Sequence, residues 1–130
     1  MNFADTTFLI DLQRSHRNPF YLSALRWLEA NPSAEIAISA VVWGEFVEGV
    51  ESLGHPVVAK FRHEFEVAPI TIKIAECFGR LNRELRQSGR VIGANDTWIA
   101  ATALVHEAPL LTRNVGHFTR VSGLQVINYA

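Results

Sequence analysis

Three acidic residues stand where their carboxylates are difficult to explain as ordinary surface groups. Asp5 ends a short apolar stretch, Glu45 lies between bulky apolar residues, and Asp96 begins an apolar helix. Three carboxylates in one cleft would repel one another, and one would take up a proton unless a cation held them together. Oxygen ligands without a cysteine or histidine cluster favour Mg²⁺ or Mn²⁺. Such a metal can activate water and stabilise a phosphoryl transition state.

Each of these acids also has a purely structural explanation. An aspartate such as Asp96 near a helix N-terminus is favoured by the helix dipole. Asp5 could cap the first helix, and Glu45 could pair with an arginine. These alternatives stay open for each acid taken alone, so the case for a metal depends on whether the chain brings the three together.

Short apolar segments alternate with helical patterns along the whole chain. The predicted strands are residues 2–4, 35–38, 67–70, 109–112 and 124–127. The predicted helices are residues 6–12, 19–31, 40–53, 56–65, 72–88 and 95–107. The predicted caps are Asn18, Ser39, Thr71 and Asn95, and a break is expected around residues 15–18. This alternation predicts an α/β sandwich with a mostly parallel sheet. Ligands of such sheets bind beyond the carboxyl ends of the strands, where Asp5, Thr112, Arg113 and Asn114 are expected.

Composition limits the class of protein. With 130 residues, 48% hydrophobic and 19% charged, the chain is expected to fold as a single domain spanning residues 1–130. A net charge of −1 argues against a general binder of polyanions. The one cysteine, Cys77, rules out an internal disulfide. Because the N-terminus lacks a basic region and no apolar run reaches about 18 residues, we expect a cytoplasmic protein that does not enter a membrane.

Four segments carry a resemblance to a known family. They are residues 5–11 (DTTFLID), 38–46 (ISAVVWGEF), 93–101 (GANDTWIAA) and 110–118 (LLTRNVGHF), the last followed by residues 123–126. Their order and spacing resemble the PIN-domain ribonucleases, and among them the VapC toxins of bacterial toxin–antitoxin pairs. The resemblance implies a PIN-like three-layer sandwich with a five-stranded sheet. It also implies an endoribonuclease acting on tRNA or ribosomal RNA, a homodimer, and an antitoxin whose C-terminal segment crosses a groove near the active site.

The resemblance implies a site for Mg²⁺ or Mn²⁺ built from Asp5, Glu45 and Asp96. The family often has a fourth acid in the region that corresponds to residues 114–117, and this sequence has none there. Asn114 could offer an amide oxygen and Thr112 a hydroxyl in its place. Asp11 or Glu48 could supply the missing charge, with a solvated helix acid as the alternative for each.

Basic residues near the predicted cleft are candidates for binding RNA phosphates. Arg113, His117 and Arg120 follow the fourth strand, and Arg83 and Arg86 belong to a run of arginines at helical spacing. An ordinary solvated helix face is the alternative for that run, and a histidine held by nearby backbone is the alternative for His117.

Two other classes of protein are weighed against the nuclease. The missing fourth acid also fits a PIN-fold binding module without turnover. A phosphatase or phospho-acceptor domain is disfavoured, because Thr7 stands where a haloacid-dehalogenase-like phosphatase needs a second aspartate. A receiver domain needs a lysine near the last strand, and the only lysines are Lys60 and Lys73.

Overall fold

A computed structural model describes residues 1–13 and 18–130. The strands in this part of the chain are β1 (Asn2–Ala4), β2 (Ile36–Ser39), β3 (Glu66–Ala68), β4 (Leu110–Thr112) and β5 (Val126–Asn128). The helices are α1 (Thr6–Gln13), α2 (Tyr21–Ala30), α3 (Ala40–Glu48), α4 (Pro56–Glu64), α5 (Ile72–Gln87), α6 (Ala94–Val105) and α7 (Val115–Phe118). The strands form one sheet in the order β3-β2-β1-β4-β5, with every neighbouring pair parallel. The predicted α/β fold with a parallel sheet is confirmed.

The central strand β1 organises the sheet. Phe3 pairs with Ala37 of β2 on one side and with Leu110 of β4 on the other. Phe3 and Ala4 are only 1% and 0% exposed, as expected for a strand covered on both faces. The strand order changes direction between β1 and β4. Ligand sites of parallel sheets lie at such a switch point, and the next residue after β1 is Asp5.

Two of the four predicted helix caps are confirmed. The Ser39 side chain accepts a hydrogen bond from the Val42 N–H, and Thr71 accepts one from Ile74. The predicted cap Asn18 is wrong, because α2 begins at Tyr21 and Phe20 occupies the cap position. The predicted cap Asn95 is also wrong: α6 begins at Ala94, and Gly93 occupies the cap position. Gly93 has φ 96° and ψ 152°, a conformation that is essentially restricted to glycine. This cap leaves the Asn95 side chain free to reach another element.

Several boundaries differ from the sequence prediction. Helix α3 ends at Glu48 rather than near residue 53, because Gly49 follows and glycine is a weak helix former. Strand β3 ends at residue 68 because Pro69 has no N–H to offer a neighbouring strand. Strand β5 begins two residues later than predicted, and the short α7 was not predicted at all. The predicted break at residues 15–18 falls, except for its last residue, outside the described residues.

Within residues 1–13 and 18–130, every helix is too short or too polar to cross a lipid bilayer.

Gly93 and Gly79 allow a matched test of the backbone conformation that starts α6. Gly93→Ala should lower the free energy of unfolding by about 1–3 kcal/mol, because alanine is strained at this φ. Gly79 lies inside α5, so Gly79→Ala should raise it by about 0.5–1 kcal/mol. A Cβ at either position meets no described atom within 4 Å, so crowding does not enter the comparison. Urea unfolding of both variants measures the difference, and shifts in the same direction would contradict this explanation.

Candidate active site

Asp5 is held at the carboxyl end of β1 by a complete set of hydrogen-bond donors. Its side chain is buried, with the residue 4% exposed. The Thr7 hydroxyl donates to Oδ1 at 2.7 Å and the Phe8 N–H to the same oxygen at 3.2 Å. The Thr112 hydroxyl, at the end of β4, donates to Oδ2 at 2.5 Å. Asp5 therefore does cap α1, as its structural alternative predicted, and it also joins the ends of the two strands at the switch point.

The environment of Asp5 disfavours its charged form. Burial raises the pKa of the carboxyl above its ordinary value of 3.8, and the negative charge of Asp96 raises it further. The hydrogen bonds from Thr112, Thr7 and Phe8 act in the opposite direction without cancelling the burial. The site thus has an excess of negative charge that a bound cation would relieve.

Glu45 of α3 is joined to the segments that carry the other two acids. The Thr6 hydroxyl donates to Oε1 at 2.6 Å, and the Asn95 amide donates to Oε2 at 3.2 Å. Thr6 directly follows Asp5, and Asn95 directly precedes Asp96. Glu45 therefore links α1 to α6. The alternative considered from the sequence, a pair with an arginine, is not what its hydrogen bonds show.

Asp96 lies in the first turn of α6 and faces the segment after β4. Its Oδ2 is 3.1 Å from Nδ1 of His117, and both side chains are partly exposed. The backbone N–H of Asn114 donates to the Thr112 hydroxyl oxygen at 2.9 Å. Thr112 thus contacts Asp5, His117 contacts Asp96, and no acid stands at residues 114–117.

The donor set fits a divalent cation by its chemistry, although the acids do not form a closed cage. All three predicted ligands are carboxylates, the ligands that Mg²⁺ and Mn²⁺ prefer. Within residues 1–13 and 18–130, however, no three His, Cys, Asp or Glu side chains stand close enough together to hold a metal ion. Glu45 and Asp96 instead point toward Thr6, Asn95 and His117. To bind one metal ion together with Asp5, the partly exposed side chains of Glu45 and Asp96 would have to rotate.

The predicted RNA-binding residues lie in different settings. Arg113 forms an ion pair with Asp11, with Nε 2.9 Å from Oδ2, so its guanidinium already has a partner inside the protein. The Arg120 side chain donates to the Val91 carbonyl at 3.1 Å. Arg83 and Arg86 are exposed on α5. Contact of any of them with RNA stays a prediction.

Sequence reasoning missed the side chains that orient the acids. Thr6, Thr7 and Asn95 were treated as part of a motif or as a cap, and their bonds to Glu45 and Asp5 were not foreseen. The Thr6-Thr7 pair directly after Asp5 was the available indication, because hydroxyl residues at a strand-to-helix junction commonly bind nearby polar groups. Asp11 is fully buried, which excludes the solvated helix acid considered for it.

This chain is similar in sequence and in fold to known proteins. The chain matches the PIN domain over residues 3–124. It is 37% identical over 125 residues to Ribonuclease VapC19 of Mycobacterium tuberculosis, covering 96% of this chain and 98% of that protein. It is 30% identical over 130 residues to Ribonuclease VapC2 of Rickettsia felis, covering 96% and 95%. The crystal structure of VapBC2 from Rickettsia felis, bound to a DNA fragment from their promoter, has a TM-score of 0.80 and 28% identity, covering 99% of this chain and 98% of that one.

This chain belongs to the PIN-domain family. Within that family, the relatives just described carry the name Ribonuclease VapC. Nucleases with this domain generally need a divalent metal, which agrees with the chemistry of the donor set at the sheet edge.

The buried carboxylate of Asp5 should make the metal-free protein less stable at neutral pH. Its pKa is raised in the folded state, so folding is weakened as the pH rises from 3.8 through the folded pKa. Asp5→Asn in EDTA should therefore raise the free energy of unfolding at pH 7, because it removes the buried charge. The gain should disappear below pH 3.8, where the carboxyl is protonated in both states.

Urea unfolding at a series of pH values, with and without EDTA, measures this effect. Glu51→Gln removes an exposed carboxylate and serves as the matched control, with no expected gain. A variant Asp5→Asn that is less stable than the natural protein at neutral pH, or whose gain does not depend on pH, contradicts the assignment of Asp5 as a destabilising buried charge.

Proposed function

We propose that this protein is an endoribonuclease of the VapC type, the toxin of a toxin–antitoxin pair, which hydrolyses phosphodiester bonds of RNA. The observation that carries the proposal is that Glu45 is hydrogen-bonded to Thr6 and Asn95, the sequence neighbours of Asp5 and Asp96, in a chain similar over nearly its full length to proteins named as ribonucleases. We also propose that residues 1–130 act as one domain, since β1 pairs with strands from both halves of the chain.

Each residue at the sheet edge has a role in this proposal. Asp5, Glu45 and Asp96 would hold Mg²⁺ or Mn²⁺, which when bound supplies water activation and neutralises charge on the reacting phosphate. Thr112 keeps the Asp5 carboxylate oriented through its hydroxyl. Asn114, whose N–H binds Thr112, would offer its side-chain amide where relatives often have an acid.

The substrate in this proposal is RNA, with tRNA and ribosomal RNA as the candidates. Arg120, Arg83 and Arg86 are the proposed phosphate contacts, because a chain of net charge −1 needs a local basic surface to hold a polyanion. His117, beside Asp96, would lie where a scissile phosphate approaches. Arg113 is a weaker candidate because Asp11 already neutralises it.

An antitoxin is the proposed protein partner. Structural relatives of this chain are VapBC toxin–antitoxin complexes, among them VapBC-1 from Haemophilus influenzae. A groove of about 330 Å³ lies between α1, α2 and α4, with an apolar floor that includes Leu12, Leu25 and Phe61. An amphipathic segment of an antitoxin fits such a groove. A homodimer within a toxin–antitoxin hetero-oligomer is the assembly we propose.

A binding module without turnover is the second candidate. It is favoured by the lack of an acid at residues 114–117 and by the open arrangement of the carboxylates among the described residues. It predicts partner binding without cleavage of any RNA, so the same experiment separates the two candidates.

Asp96→Asn should reduce RNA cleavage by about 100-fold or more, because it removes a charge from the metal site while keeping the shape of the side chain. Purified protein free of antitoxin is incubated with total tRNA and ribosomal RNA in Mg²⁺, Mn²⁺ or EDTA, and the fragments are resolved on a gel. Discrete fragments should require metal and be lost in the variant.

The exposed-carboxylate variant Glu51→Gln controls for loss of one negative charge and should cleave like the natural protein. Full activity of a folded Asp96→Asn protein overturns the assignment of this site. Partner binding by a protein that cuts no RNA with either metal favours the binding module.

A further inference from the structure

A second buried acid lies behind the candidate site, outside the set of proposed metal ligands. Asp11 of α1 is 0% exposed and receives donors from three different parts of the chain. Arg113 approaches Oδ2 with Nε at 2.9 Å and Oδ1 with Nη2 at 3.3 Å. The Tyr129 hydroxyl donates to Oδ2 at 2.5 Å, and the Asn18 amide donates to Oδ1 at 2.5 Å.

These contacts keep Asp11 charged despite its burial. Burial alone would raise the pKa of Asp11, but the bonds from Arg113, Tyr129 and Asn18 hold the pKa below its ordinary value. Burial and the bond to Asp11 raise the pKa of Tyr129, so its hydroxyl remains a donor at neutral pH. A buried charge of this kind fixes its partners, because an unpaired charge in the interior is costly.

The partners of Asp11 flank the residue that binds Asp5. Arg113 directly follows Thr112, and its guanidinium also lies 4.0 Å above the ring of Phe20. Tyr129 directly follows Asn128, which pairs with Thr112 in the sheet. The ring of Tyr129 packs edge-on against Phe8 at 5.0 Å, and the Phe8 N–H binds Asp5. The ends of β4 and β5 are therefore tied to α1 at one point.

We propose that Asp11, Arg113 and Tyr129 form a brace that positions the candidate site by keeping the Thr112 hydroxyl hydrogen-bonded to the Asp5 carboxylate. The expected effect of the brace on RNA cleavage rests on the nuclease function proposed above. Its expected effect on the position of Thr112 rests on the hydrogen bonds alone. In this brace Arg113 acts inside the protein, as a positioning residue for Thr112 and not as a contact to RNA.

The decisive variant is Tyr129→Phe. It removes one hydroxyl from the brace and keeps the ring that packs on Phe8. Because Tyr129 is only 6% exposed, the change does not alter a surface that RNA can touch. Arg113→Lys is the second variant, since lysine keeps the charge but loses the bidentate contact with Asp11. Arg62→Lys is its matched control, because Arg62 also lies over an aromatic ring, that of Trp43, but outside the brace.

Hydrogen–deuterium exchange reports the structural effect without any substrate. The Asn114 N–H donates to the Thr112 hydroxyl oxygen, so its exchange should become about tenfold faster in Tyr129→Phe and Arg113→Lys. Exchange in β2 and α4 should stay unchanged in both variants, and Arg62→Lys should match the natural protein throughout.

RNA cleavage reports the catalytic effect. Both brace variants should lower kcat by about tenfold with KM within about twofold, as expected when a reacting geometry is loosened and substrate contacts are kept. If the natural protein cleaves no RNA, the nuclease proposal fails, and local exchange at Asn114 still decides whether the brace exists.

Three results would overturn the brace. Unchanged exchange at Asn114 in a folded Tyr129→Phe protein means that Asp11 does not control Thr112. A uniform rise in exchange across the chain means that the contacts only stabilise the fold. An increase in KM without loss of kcat in Arg113→Lys, with Tyr129→Phe unaffected, returns Arg113 to the RNA surface.

Discussion

The burial of one carboxylate at the end of the central strand is the constraint on which the rest of this structure depends. Asp5 cannot be solvated where β1 ends, so hydroxyl and amide donors from α1 and β4 surround it. Glu45 and Asp96 lie near the same edge of the sheet, and each contacts a polar neighbour. Neutral donors moderate this concentration of negative charge but do not remove it, since the pKa of Asp5 stays above its ordinary value.

Two buried aspartates, Asp5 directly before α1 and Asp11 within it, act on stability in opposite directions. The pKa of Asp5 is raised, so its charged form weakens folding at neutral pH. The pKa of Asp11 is lowered, so its ion pair contributes stability that is present above pH 3.8 and lost as the pH falls. The destabilising burial of the Asp5 charge is thus offset by the hydrogen-bonded ion pair of Asp11, six residues later in the chain. Natural proteins commonly tolerate such a compromise where function needs a destabilised group.

Local rules predicted those parts of the fold that depend on neighbouring residues. The apolar segments gave the strands, and Ser39 and Thr71 were recognisable as caps because each binds an N–H three residues on. Asn95 was misassigned because its partner, Glu45, is 50 residues away. Likewise, Arg113 looked like a free cation because Asp11 lies 102 residues earlier. Such pairings are decided by the packing of whole elements, which spacing along the chain does not encode.

The bond between Thr112 and Asp5 joins residues that are 107 positions apart. A nascent chain still lacking Thr112 has its N-terminal acid but not the strand that completes its surroundings. Since β1 also needs β4 as a neighbour, the sheet edge that carries the candidate site is assembled only after residues 110–112 have been synthesised. On the ribosome, the candidate site therefore cannot form from the N-terminal segment alone and has to wait until β4 has been made.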